Sequence, residues 1–328
     1  MMYFIFSLVA LLCWSGSDLF SKKGTNEKDK NSHWKVVFAV GLIMGLHFFI
    51  TLIGGAIIDN TCGVDNVPKF VASLFYTDFV FIDFIKYLPV AGLYILAMVL
   101  GYIGLRYIEL SVSSPICNCS GSLALLICFL IFPLIGADAI VLDAWSIVGV
   151  LLITIGIIGI GVVDSRENQE LKELRRKASN RKYTKSFLAL LLPIAYLIID
   201  ALGTVGDEVF FHFVDISDYS ANSSFELTFF FLAIFAFIWV KFVKKDYLFK
   251  KQNGDLYIGG LCETIGQVFY MAVMFADYEV GMPIISSYCV VSLIWSRIFL
   301  KEKLSYKHYI AIGLTIMGII LLGIFSPV

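Results

Sequence analysis

Apolar residues run along this chain in stretches of about twenty, separated by short polar segments. Ten such stretches can be marked, roughly 3–21, 34–58, 87–105, 111–134, 145–163, 187–206, 225–243, 257–275, 283–300 and 307–325. Each approaches the ~20 residues a helix needs to cross a bilayer. The predicted fold is therefore an all-α polytopic membrane protein with ten transmembrane helices. Residues Phe70 to Tyr87 are aromatic but interrupted by Asp78, Asp83 and Lys86. Two acids in so short an apolar run predict an amphipathic helix lying on the outer interface, as plain surface packing or as a lid over a cavity mouth.

The pattern repeats. At an offset of 168 residues, Leu88 answers Leu256, Tyr102 answers Tyr270, Glu109 answers Asp277, Val112 answers Val280 and Pro115 answers Pro283. At an offset of 182, Trp14 and Asp18 answer Tyr196 and Asp200, so each half opens with an aromatic four residues before an acid. This predicts a first five-helix repeat over 1–163, a basic cytoplasmic linker over 164–186 and a second five-helix repeat over 187–328. An odd number of spans before the linker inverts the second half relative to the first, around a central cavity.

Composition agrees with this reading. The 328 residues are 59% hydrophobic and 16% charged, with a mean hydropathy of +0.85, which excludes a soluble domain of this length. Of the 25 lysines and arginines, 23 fall in the loops after spans 1, 3, 5, 7 and 9. The positive-inside rule then places those loops in the cytoplasm and both termini outside, in a plasma membrane of bacterial type. The first span lacks a basic leader and a cleavage site, and Asp18 interrupts it, so it is expected to be retained. The basic linker reads as a neighbour of anionic headgroups rather than a nucleic-acid contact. Six of the seven cysteines lie within spans, and Cys117-x-Cys119 has no second pair or histidine at ligand spacing. No metal, cofactor or disulfide framework is expected.

Carboxylates inside apolar spans cost roughly 2.5 to 3.5 kcal/mol each on insertion scales, so they mark candidate sites. Glu263, Gln267 and Tyr270 fall at i, i+4 and i+7 and form one polar stripe on a helix. A turn at Asp277–Pro283 leads into Ser286, Ser287, Tyr288, Ser292 and Trp295. In the first span Trp14, Asp18 and Ser21 share a face. Asp18 reads either as an interfacial acid paired with Lys22 or as a cavity acid. Span 4 carries Ser114 and Asn118, and span 6 carries Tyr196 and Asp200, with Asp207 and Glu208 nearer its outer end. Together with Tyr102, these aromatics predict stacking walls; helix packing is the plainer reading of the same stripe. Glu263, Asp200 and Asp18 are the candidates for loading and releasing a proton. His47 reads as hydrogen-bonded packing, Gly41-x-x-x-Gly45 as a close helix contact, and Asn222-Ser223-Ser224 as a glycosylation pattern in an outer loop.

The segment Lys301-Glu302-Lys303-Leu304-Ser305, followed by Ile312-Gly313-Leu314-Thr315-Ile316-Met317-Gly318, resembles the last helix hairpin of the drug/metabolite transporter superfamily. The Trp14-Ser15-Gly16-Ser17 run and the proline-started fourth and ninth spans fit the same pattern. The resemblance implies a basket of two inverted repeats open to one side at a time. Ten-helix members with EamA repeats are expected to keep both termini inside. The opposite charge pattern here is closer to the L-rhamnose/proton and glucose/ribose uptake branch, which implies a sugar. The expected function is thus secondary active transport of a small polar metabolite, with protons as the coupling ion. Export of amino acids, nucleosides or drug-like cations is the alternative within the fold, and a receptor or scaffold without turnover the alternative outside it. The partners are a small-molecule substrate, protons and the lipid bilayer, with a homodimer left open. No Gly-x-Ser-x-Gly, phosphate loop or histidine-rich cluster argues for an enzyme.

Overall fold

The computed structural model describes residues 2–26, 29–137, 144–166, 187–274 and 281–325, and no strand occurs among them. The helices are α1 (Met2–Gly24), α2 (Ser32–Thr61), α3 (Lys69–Phe75), α4 (Phe81–Gly104), α5 (Leu110–Cys117), α6 (Ser120–Ile135), α7 (Ala144–Arg166), α8 (Phe187–Phe213), α9 (Asp218–Ile238), α10 (Gly254–Met274), α11 (Gly281–Ser286), α12 (Tyr288–Trp295) and α13 (Tyr306–Phe325). Seven of the ten predicted spans are long and apolar enough to cross a membrane: α1, α2, α4, α5 with α6, α8, α9 and α10. The apolar runs described in α7, α11 with α12, and α13 have 10–17 residues. The helices that carry them are longer: at 1.5 Å per residue, α7 with 23 residues and α13 with 20 extend about 34 and 30 Å. The predicted turn at Asp277–Val280 and most of the basic linker lie outside the described residues.

Several helix limits differ from the apolar runs. The interfacial helix is only the seven residues of α3; an extended stretch follows, and α4 begins at Phe81 with Asp83 in its first turn. Asp78 lies in the extended stretch and Asp83 in the first turn of α4, and each accepts a hydrogen bond from a serine at the start of α9, Ser217 and Ser220 respectively. The pattern Asn222-Ser223-Ser224 is not in a loop: it lies inside α9, with Ser223 and Ser224 buried. The start of α9 has the composition of a loop because its inward-facing side chains are serines, Ser220, Ser223 and Ser224.

Four antiparallel pairs build the bundle, each joining a helix before the linker to one after it: α1 with α10, α2 with α9, α4 with α8, and α7 with α13. Small residues set the contacts, as lipid offers no hydrophobic drive between helices. A side chain at Gly41 would run into the Phe229 carbonyl oxygen, and one at Gly318 would lie 2.5 Å from that of Gly149. The Gly41-x-x-x-Gly45 motif thus makes the close contact its spacing predicts, and Gly149, Gly156 and Gly159 of α7 do the same against α13.

Among the described residues, the lysine- and arginine-bearing loops after α1, α4, α9 and α12 share one end of the bundle, called here the basic end. Lys22, 1% exposed, donates to the carbonyls of Leu105 and Ile108 after α4, rather than to Asp18. Glu302, equally buried, accepts the Leu110 and Ser111 N–H groups at 3.1 and 3.0 Å and the Ser111 hydroxyl at 2.8 Å. The α4–α5 reversal is therefore held by a cation on its freed carbonyls and a carboxylate on its freed N–H groups. Lys35 bridges Asp29 at 2.7 Å and Asp246 at 2.6 Å. Partial burial disfavours the Asp246 charge, but hydrogen bonds from Lys35 and Lys250 outweigh it and hold its carboxyl well below the usual range. All seven cysteines are free thiols.

Glu302→Ala should lower stability by about 1–3 kcal/mol by leaving buried N–H groups unbonded, read as a shift in the denaturation midpoint. A depressed folded-state pKa gives Asp246 a contribution present above about pH 4 and lost as pH falls further. The melting difference between wild type and Asp246→Asn should accordingly narrow below pH 4; a difference constant down to pH 3 would contradict this.

Candidate functional site

A cavity of about 730 Å³ runs through the centre of the bundle. At the basic end it stops at Ser21, Tyr102, Leu105 and Leu110, all buried. At the other end it reaches Glu208, Phe211, Asp218 and Met274, which are exposed. This places its mouth opposite the basic loops. The segment carrying α3 flanks that mouth. Phe70 stacks on Phe6 at 4.5 Å, Ser217 donates to Asp78, and Ser220 donates to Asp83 at 3.1 Å.

Two interrupted helices supply the middle of the wall. The break between α5 and α6 follows Pro115, which cannot donate a backbone hydrogen bond. The chain tightens there, with Asn118 N–H bonded to Ser114 and Cys119 N–H to Ile116, and the Cys119 thiol donates to the Pro115 carbonyl at 3.0 Å. A similar tight turn at Ser287 divides α11 from α12. These breaks aim serines at the acids of α1 and α8. Asp18 Oδ2 accepts from Ser114 at 2.7 Å and Ser292 at 2.8 Å, which leaves Oδ1 to the cavity. Asp200 Oδ2 accepts from Ser120, the first residue of α6, at 2.5 Å. Glu263 takes a hydrogen bond from Ser17. It does not bond Gln267, which donates instead to Asn222 at 3.0 Å.

Aromatic rings cover the rest. Trp14 lies 5.2 Å from Tyr270 and 5.9 Å from Tyr288, ring centre to ring centre. It rests on Gly266, where a side chain would come within 2.5 Å of the indole; Tyr196 rests on Gly101 in the same way, at 2.9 Å. The Trp14 Nε1, Tyr102 Oη and Asn118 Nδ2 atoms are buried in the wall without a protein partner. Buried polar groups are rarely left unbonded, so these three point to a ligand or water.

The cavity gathers Trp14, Asp18, Tyr102, Ser114, Asn118, Tyr196, Asp200, Glu263, Gln267, Tyr270 and Tyr288. Three other candidates stand apart from it. Ser292 is fully buried behind Asp18 and Ser287 bonds its own helix at Ile284. Trp295 packs into the core with Phe299 at 5.4 Å. Asp207 also lines the cavity and accepts from Tyr87 at 2.8 Å and Tyr94 at 3.4 Å. Its place one helical turn beyond Thr204 was the available signal.

Residues 188–324 match the EamA-like transporter family. The matched segment runs from α8 to α13. No curated protein matches the chain. With its apolar helices, the EamA-like segment marks the chain as an integral membrane protein. The same segment includes the loop Glu302-Lys303-Leu304-Ser305, whose chemistry is now visible: Glu302 caps α5, Leu304 enters the core, and the Ser305 hydroxyl meets His308 Nδ1 at 2.8 Å at the start of α13.

Six carboxyl groups line the cavity, from Asp18, Asp200, Asp207, Glu208, Asp218 and Glu263, and no lysine, arginine or histidine does so among the described residues. Such a wall concentrates cations. A cysteine at Thr204, reacting from the mouth, should be labelled by a cationic methanethiosulfonate roughly tenfold faster than by an anionic one. Equal rates would contradict an acidic cavity.

Proposed function

We propose that this protein is a secondary transporter of a small polar metabolite that carries hydrogen-bond donors, with an organic ammonium ion the best fit. The observation that carries the reading is the cavity wall: six carboxyl groups, no basic side chain among the described residues and a lining of Trp and Tyr rings. Carboxylates and aromatic faces attract ammonium groups together. A sugar satisfies the donors and the stacking, whereas an anion would find no counter-charge. The volume suits a small molecule. A membrane enzyme would need a clustered nucleophile or acid–base pair at an interface, and the acids here are spread along a cavity instead.

The architecture supports alternating access. Exchange α1 with α8, α2 with α9, α4 with α10 and α7 with α13, and the four antiparallel pairs map onto one another. The exchange also carries Trp14 on Gly266 into Tyr196 on Gly101. An inverted repeat of this kind produces two conformations, each closed at one end, by the same movement in opposite senses. Asp18, Asp200 and Glu263 face the shared space, where exposure to each side in turn lets a carboxyl exchange a proton for substrate.

Melting of the purified protein across a panel of ammonium compounds, sugars and carboxylic acids tests the substrate class by mass action. Ammonium compounds should stabilise it most and carboxylic acids not at all. Proteoliposome uptake of the best stabiliser should be driven by a pH gradient and lost in Glu263→Gln and Asp200→Asn. Stabilisation by carboxylic acids alone would overturn the substrate class; uptake at the wild-type rate in both variants would overturn the coupling.

A further inference from the structure

Behind the cavity wall lies a buried pair of titratable side chains. Glu226 of α9 is fully buried, and its Oε1 meets His47 Nδ1 of α2 at 2.8 Å. Neither residue lines the cavity. A titratable acid and imidazole facing each other inside a membrane bundle are costly to bury, which makes them a functional candidate. What sets this pair apart is its connection. The same Oε1 accepts from Asn222 Nδ2 at 3.2 Å, and Asn222 Oδ1 accepts from Gln267 Nε2 at 3.0 Å. Asn222 and Gln267 both line the cavity.

The order of donors in this chain follows from Glu226. Whichever partner holds the shared proton, Oε1 is left as an acceptor toward Asn222. Asn222 must then give its NH2 to Glu226 and turn its carbonyl to Gln267. Gln267 in turn must spend its NH2 on Asn222, which leaves its carbonyl oxygen as the group offered to the cavity. With a neutral apolar residue at 226, both amides would be free to flip, and Gln267 would offer N–H as readily as C=O.

We propose that the buried His47–Glu226 pair is a specificity-determining element that works through Asn222. It holds Gln267 as a hydrogen-bond acceptor, so that the site selects ligands bearing N–H or O–H donors. Gln267 touches the ligand; Asn222, Glu226 and His47 are positioning residues behind it. Resting on the cavity reading above, this proposal gives the site a means of telling a primary ammonium from a quaternary one. The two have the same charge and differ in donors.

Titration calorimetry on the full-length purified protein uses 2-phenylethylammonium and its N,N,N-trimethyl analogue as probes. The wild type should bind the primary ammonium more tightly. In Glu226→Leu that preference should fall roughly three- to tenfold, the span of one hydrogen bond. Asn222→Leu cuts the chain while keeping the His47–Glu226 contact, and it decides the matter should Glu226→Leu not fold. The double variant should lose no more than either single one, because the residues act as one unit. A preference kept in the variants, or losses that add, would overturn the proposal. So would wild-type binding without preference, although the cavity reading would survive. Binding of neither probe would overturn the ammonium reading of the cavity and the proposal with it.

Discussion

A carboxyl group inside an apolar helix has to find either a hydrogen-bond partner or water, since lipid offers neither. In this protein the constraint is met by breaking helices. Asp18 is answered by a serine on either of two interrupted segments, α5 and α12, and Asp200 by the first serine of α6. Each acid uses one oxygen to hold a broken helix and keeps the other for the space between. The breaks, the cavity and the aromatic corner around Trp14 thus form one arrangement: non-helical backbone at membrane depth lies where it faces a polar interior.

The same logic closes one end. At the α4–α5 reversal, Lys22 and Glu302 apply opposite charges to opposite sets of freed backbone groups, and both side chains are buried. Movement of α5 away from α1 or from the α12–α13 loop must break these bonds together. The mouth is bordered by the hydrogen bond from Tyr87 to Asp207 and by the exposed side chains of Glu208, Asp218 and Met274. The cavity is therefore closed at the basic end and open at the other.

The acids, the Trp14 and Tyr196 echo and the Glu263–Gln267–Tyr270 stripe were legible in the sequence because a polar residue in an apolar run stands out at helical spacing. So were the glycine contacts of α2 and α7. The helix breaks were not, as Pro115 and Pro283 read equally well as the first turn of an unbroken span, where proline is tolerated. Glu226 escaped notice because the serine-rich start of α9 looked like a loop, which put the acid at a span boundary where charges are ordinary. Its partner His47, 179 residues away in the chain, carried no pattern that could join the two. Asp207 was discounted for lying near an outer end; the cavity reaches that far because its mouth is there.

The central claim is that one acid-lined cavity serves two sides of a membrane in turn. Pulsed dipolar spectroscopy in proteoliposomes tests it most directly, with spin labels at Lys251 and Lys303 for the basic end and at Asn66 and Asp215 for the mouth. The account predicts two distances for each pair. Lowering pH or adding a stabilising ammonium compound should shift their weights in opposite senses at the two ends. A single distance at both ends, unchanged by either, would contradict it.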